Sequence, residues 1–275
     1  MSKMQDRLAL HTWTLDTTPL AEALQAAKKA GWNAVELRRV DFTRCFENGM
    51  TNAQVLDLVR ASGLETACIG TEYGVIFAKG GERERLLKVL DETCANAKAL
   101  GCDLVMIAPG QNPPGTLAEA AANFRAAGEV AKPHGVRLAL EFNSQHAVIN
   151  SLKAAREIFA LTKHPNCGIL LDTYHMERCG DGGRGFEAMP AAEIFAFQYS
   201  DVPAGTPAAA NRPTDRLPPG KGTVRWREVL QLLKEKNYAG YLSYEAPNPE
   251  YWSRPPEEVA REAVQATRAL LAQVE

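Results

Sequence analysis

"VAKPHGVRLALEF", residues 130–142, is the stretch on which the reading of the fold turns. It begins as the end of an amphipathic helix, stops at Gly135, and resumes as a short apolar strand that ends on Glu141. Glycine closes helices because it enters the left-handed backbone region without steric cost. The same phrase recurs as "AAKKAGWNAVEL" (26–37), "LVRASGLETACI" (58–69), "NAKALGCDLVMI" (96–107) and "LKEKNYAGYLSYE" (233–245), where Asn237 takes the place of the glycine. Between Gly31, Gly63, Gly101 and Gly135 the spacings are 32, 38 and 34 residues, the length of one helix, one strand and two short loops. The strands alternate little, as parallel strands buried on both faces do.

Working outward, "RLALHT", "CGILLD" and "IFAFQYSD" complete a set of eight strands, near 7–11, 34–38, 65–70, 103–108, 137–142, 168–172, 194–198 and 241–245. Helices are expected at about 18–30, 51–62, 82–100, 116–133, 150–162, 225–236 and 256–274, with at most a short helix in "ERCGDGGRGFEAMP" after strand six. Eight parallel strands with intervening helices close into a (β/α)8 TIM barrel, here one domain over 1–275. An open doubly wound sheet fits less well, because no Gly-rich phosphate loop follows the first strand. The longest irregular stretch, residues 201–226, follows strand seven and would lie over the catalytic face.

Bulk properties narrow the function. Apolar residues make up 45% and charged residues 23%, the balance of a water-soluble chain with a large core. The formal net charge of −2 offers nothing to hold a phosphate backbone, so nucleic acid is not an expected partner. The chain has no run of about 18 apolar residues and no apolar leader, so no membrane role is expected and the cytoplasm is the expected location. The cysteines form no C-x-x-C pair and sit largely in apolar runs, which reads as reduced packing residues.

In a barrel the last residues of each strand face the C-terminal end, where chemistry occurs. The last four strands end on Glu141, Asp172, Gln198 and Glu245. Carboxylates brought together this way repel, and must take up protons or share a cation. An oxygen-rich shell suits Mn²⁺ or Mg²⁺, with Gln198 as a neutral fourth ligand. The pattern alone leaves a second reading open, in which each carboxylate caps a neighbouring loop or helix.

Around these residues, "LALEFN", "LLDTYHM", "FQYSD", "DRLPPGKG" and "GYLSYEAPNPEYW" resemble the sugar-phosphate isomerase/epimerase family with xylose-isomerase-like barrels, most of all its inosose isomerase branch. The resemblance runs over nearly the whole chain and is densest from 136 to 252. It implies a divalent metal held by Glu141, Asp172, Gln198 and Glu245, with Zn²⁺ or Co²⁺ as further candidates. The family commonly has His on strand seven; Gln198 departs from this and is shared with metal-dependent 3-dehydroshikimate dehydratases of the same fold. By the same resemblance, His175 of "DTYH" and the loop residue Arg216 contact substrate, with His146 and Lys221 as weaker candidates. His134 and His164 precede their strands, at the face opposite the chemistry.

The implied reaction is proton transfer beside the carbonyl of a keto-sugar or keto-polyol. Glu141 and Glu245 exchange the proton, and His175 and Arg216 hold substrate oxygens. Dehydration of a related keto-polyol is the alternative. A DNA phosphodiesterase on this fold would need a His-rich three-metal site and a basic groove, which five histidines and a negative net charge do not supply. A binding module without activity would hold no metal. Family resemblance also implies homo-oligomers, with Tyr251 and Trp252 either an interface patch or a roof over the pocket.

Overall fold

The computed structural model describes residues 3–111, 113–205 and 214–274. Its strands are β1 (Leu8–His11), β2 (Ala34–Arg38), β3 (Glu65–Gly70), β4 (Leu104–Ile107), β5 (Arg137–Glu141), β6 (Cys167–Asp172), β7 (Ile194–Tyr199) and β8 (Leu242–Tyr244). Each pairs in parallel with the next and β8 pairs with β1, closing the (β/α)8 barrel in sequence order. Ten α-helices accompany the strands among the described residues: α1 (Leu20–Ala30), α2 (Arg39–Glu47), α3 (Asn52–Ala61), α4 (Gly80–Ala99), α5 (Leu117–Ala131), α6 (Leu152–Thr162), α7 (Thr173–Cys179), α8 (Trp226–Glu235), α9 (Pro249–Trp252) and α10 (Pro256–Leu271). No helix among the described residues is long and apolar enough to cross a membrane.

Local chemistry sets the boundaries. Thr51 and Thr116 open α3 and α5 with capping boxes, each side chain accepting from the backbone three residues on while Gln54 or Glu119 reaches back. Gly31 ends α1 at φ +90°, and Asn237 takes φ +53° after α8, so the expected stops do adopt the left-handed backbone. One stop was not signalled by residue type: α6 closes at Lys163, φ +49°.

Helix α2 is the main addition to the expected elements. Phe42 and Cys45, three residues apart, turn inward. Asp41 clamps its first turn, accepting from the Arg38 backbone nitrogen at 2.8 Å and from Arg38 Nη2 at 2.9 Å. That clamp joins the helix to the end of β2 and brings a basic side chain to the mouth of the barrel.

Strand registers place the strand-end polar groups. Asp172 and Gln198 are direct neighbours on β6 and β7, and His11 and Glu36 are neighbours on β1 and β2. All four are essentially excluded from solvent. The five buried cysteines and the half-buried Cys179 are all free thiols, consistent with their reading as packing residues.

Candidate metal and substrate site

Glu141, Asp172, Gln198 and Glu245 lie at 7%, 0%, 0% and 2% exposure, so none is a solvated strand-end charge. Asp172 divides its two oxygens. Oδ1 accepts from the Tyr174 backbone nitrogen at 2.9 Å and caps α7, while Oδ2 accepts from Arg216 Nη1 at 2.8 Å, among the clustered polar groups. The capping reading and the ligand reading therefore apply to different atoms of one side chain.

Helix α7 carries His175 back over the strand ends. Its Nε2 lies 3.7 Å from Glu141 Oε1 and 3.8 Å from Asp172 Oδ2. Its Nδ1 accepts from the Ser144 backbone nitrogen at 3.2 Å. That bond places the ring proton on Nε2, directed at the cluster. Burial lowers the His175 pKa to about 3, so the ring is a neutral donor there. One oxygen each from Glu141 and Asp172 and a ring nitrogen of His175 lie within 4.8 Å of one another; with its proton on Nε2 the imidazole donates beside the carboxylates, which leaves their oxygens as the metal-binding atoms.

Arg216 comes from the loop after β7 and is 1% exposed. Its Nη1 stands 2.8 Å from both Asp172 Oδ2 and Glu245 Oε2, and Nη2 is 3.3 Å from His175 Nε2. The Tyr174 ring lies beneath it, 4.5 Å from the guanidinium carbon to the centroid. Burial opposes its charge, but Asp172, Glu245 and Glu141 together hold its pKa above the ordinary arginine value. Burial also pushes the carboxyls of Glu141 and Glu245 up, and mutual repulsion with Asp172 adds to this.

The arrangement fits a divalent cation on one direct observation. Gln198 Nε2 donates to Glu36 Oε1 at 2.8 Å, while Gln198 Oε1, fully buried, has no hydrogen-bond partner among the described residues. An orphan amide oxygen beside clustered carboxylates is a donor set for a hard cation. A single arginine offsets only part of the charge of three carboxylates.

Above the cluster opens a cavity of about 1050 Å³, with Glu141, His175, Arg216 and Glu245 at its base and Trp13 and His146 on its walls. His146 stacks flat on Phe77, with centroids 5.4 Å apart. Its Nδ1 accepts from the backbone nitrogens of Val148 and Ile149 at 3.0 and 2.9 Å, leaving Nε2–H as a donor. Lys221 is not brought to the cavity; its side chain is exposed. His134 and His164 pair instead with Asp91 and Glu129. Trp252 donates to the Trp13 carbonyl at 3.1 Å and braces that wall from behind, and neither it nor Tyr251 lines the cavity. Of the 201–226 segment, residues 206–213 lie outside the described residues.

The sequence reading overlooked three buried polar residues, His11, Glu36 and Arg38. They stand in "ALHT" and "VELRR", and applying the strand-end rule to the first two strands as well as the last four would have found His11 and Arg38. His11 Nε2 is 3.3 Å from Glu245 Oε1, and Arg38 lines the cavity, tied to Asp16 at 2.7 Å.

The family described as Xylose isomerase-like TIM barrel matches residues 24–270. The chain belongs to this family. Among xylose isomerase-like relatives, the inosose isomerase of Halalkalibacterium halodurans is 25% identical over 263 residues, covering 92% of each chain. The 3-dehydroshikimate dehydratase of Pseudomonas aeruginosa is 26% identical over 266 residues, covering 92% of this chain and 39% of its own. In structure, the IOLI protein solved with a bound zinc atom superposes with a TM-score of 0.87 at 20% identity, over 98% of this chain and 99% of its own.

Proposed function

We propose that this enzyme is a divalent-metal-dependent isomerase or epimerase of an inosose-like keto-polyol or keto-sugar. The observation that carries the reading is the partnerless oxygen of Gln198 beside the buried carboxylates at the cavity base. Glu141, Asp172, Gln198 and Glu245 would hold the cation, Mn²⁺ or Mg²⁺ by the hardness of the donors. When bound, the ion supplies Lewis-acid polarisation of the substrate carbonyl. The zinc of the IOLI structure supports a divalent ion in this fold.

The chain's own groups do the rest. Glu141 and Glu245 enter the cavity from strands separated by two others, so they flank a substrate seated at its base. One takes the proton next to the carbonyl and the other returns it; both hold protons more readily than ordinary carboxyls, which suits exchange near neutral pH. His175 Nε2–H and Arg216 stabilise the oxyanion that develops.

Glu245→Gln tests this. The variant should still melt in one cooperative transition and lose solvent deuterium incorporation into an inosose by at least about a hundredfold, the usual scale of a general base. Full exchange in the variant overturns the assignment. Dehydration is the second reading, favoured by Gln198 in the strand-seven position and by the likeness to the dehydratase. A new ultraviolet absorbance from a conjugated product, with 3-dehydroshikimate or an inosose as substrate, selects it over exchange without water loss.

A further inference from the structure

Gln198 differs from the other three proposed ligands because its two ends are chemically opposite. A carboxylate presents oxygen whichever way it turns, but an amide rotated by half a turn presents N–H donors to the cation. The hydrogen-bond network fixes the orientation. Nε2 reaches across the barrel interior from β7 to β2 and donates to Glu36 Oε1 at 2.8 Å. Glu36 is 2% exposed, stands in register with His11, and lies 3.9 Å from His11 Nε2 through the same oxygen. The opposite rotamer would set the amide carbonyl against the Glu36 carboxylate and leave the N–H groups facing the cluster, so both contacts would be lost at once.

We propose that Glu36 is a positioning residue that captures the Gln198 amide nitrogen and thereby presents the amide oxygen as a ligand to a divalent cation. The inference rests on the metal reading above. It assigns a function to a carboxylate that the proton-transfer scheme does not use.

The test is Mn²⁺ binding, followed by the electron paramagnetic resonance signal of free Mn²⁺, in wild type, Glu36→Gln and Glu36→Met. Glu36→Gln keeps an acceptor oxygen at the same reach and should bind within about threefold of wild type, whereas Glu36→Met removes the acceptor and should weaken binding by about 10–100-fold, the usual effect of losing a residue that orients a ligand. Melting curves of the metal-free variants establish that they fold. Should Glu36→Met fail to fold, Glu36→Thr, too short to reach Gln198, takes its place with the same expectation. Wild-type affinity in the acceptor-free variant overturns the proposal. So does an equal loss in Glu36→Gln, which would assign the effect to charge. If wild type itself binds no Mn²⁺, the metal reading falls and this inference falls with it.

Discussion

Arg216→Met should separate the two ways in which the carboxylate cluster is neutralised. The guanidinium is buried and its Nη1 lies 2.8 Å from oxygens of both Asp172 and Glu245. Unit charges about 4 Å apart at an effective dielectric of 20 attract by about 4 kcal/mol, and there are two such contacts. Desolvation offsets much of this, and removing one partner from a buried ionic cluster leaves a net loss of about 3–5 kcal/mol. For 275 residues, an unfolding entropy of about 2 cal/mol/K per residue converts the loss to a Tm about 5–9 °C lower. The deficit should grow with pH. Glu141 and Glu245 have raised folded-state pKa values, so the stability they contribute is present at low pH and fades as pH rises through that range. Without the guanidinium they are raised further, and melting in EDTA should show a wider gap at pH 9 than at pH 6. Mn²⁺ at about 100 times its Kd should stabilise wild type by about 2.7 kcal/mol, and the variant by more, because the ion replaces the missing cation. A variant that melts within about 2 °C of wild type at pH 9 in EDTA refutes the ion-pair reasoning. A smaller Mn²⁺ shift in the variant than in wild type refutes the shared-site reasoning.

Three further outcomes are expected. His146→Phe keeps the stack on Phe77 but removes both Nε2–H and the Nδ1 acceptor of the Val148 and Ile149 backbone nitrogens; KM should rise at least about fivefold, the net worth of one hydrogen bond, with kcat little changed, and a collapse of kcat at constant KM would instead make His146 a proton carrier. Gly128→Ala gains about 1 kcal/mol of helix propensity. It also drives a Cβ to 2.6 Å from His164 Nδ1 and 2.8 Å from Cys167 Sγ. Overpacking of about 1–3 kcal/mol wins, so the Tm should fall, and a rise would show that α5 can shift away from β6. The Glu119 carboxyl, held by the Thr116 backbone N–H and by Lys79, should titrate at about 2 by NMR. Its support of α5 is complete above the unfolded carboxyl's pKa of roughly 4.3 and fades as pH falls toward 2, and an ordinary midpoint would show that the capping box is not formed in solution.

Five strand positions were legible in the chain because each follows a stop that Gly or Asn adopts easily, and the other three because burial on both faces leaves a plain apolar run. Helix α2 was not, since "RVDFTRCFE" is mostly polar and its first turn is held by the Arg38–Asp41 clamp to the strand end just before it, a contact that leaves no periodic signal. At the site, the sequence brought forward Glu141, Asp172, Gln198 and Glu245 from their strand ends, and the structure gathers them with His175 and Arg216. It could not show that Arg216 threads between two carboxylates, because the loop carrying it has no periodicity to place it. Nor could it show Glu36, which lies mid-strand in "AVELR" and matters only through a contact with a strand 162 residues away. Lys221 came forward only through the family resemblance, at a position where relatives often carry Gln, and its side chain is turned out to solvent.

Asp201 has a consequence for how this barrel diversifies. Its backbone pairs antiparallel with Leu217, and its carboxylate gathers the backbone nitrogens of Gly220 and Val224 and the Trp226 indole. The stretch between Asp201 and Leu217 is thereby anchored at both ends, the second anchor being the residue after Arg216. Lengthening a segment tethered at both ends costs only about 0.6 kcal/mol per doubling. The length of chain between these anchors can therefore vary at little energetic cost while Leu217 keeps its pairing with Asp201 beside the Arg216 guanidinium.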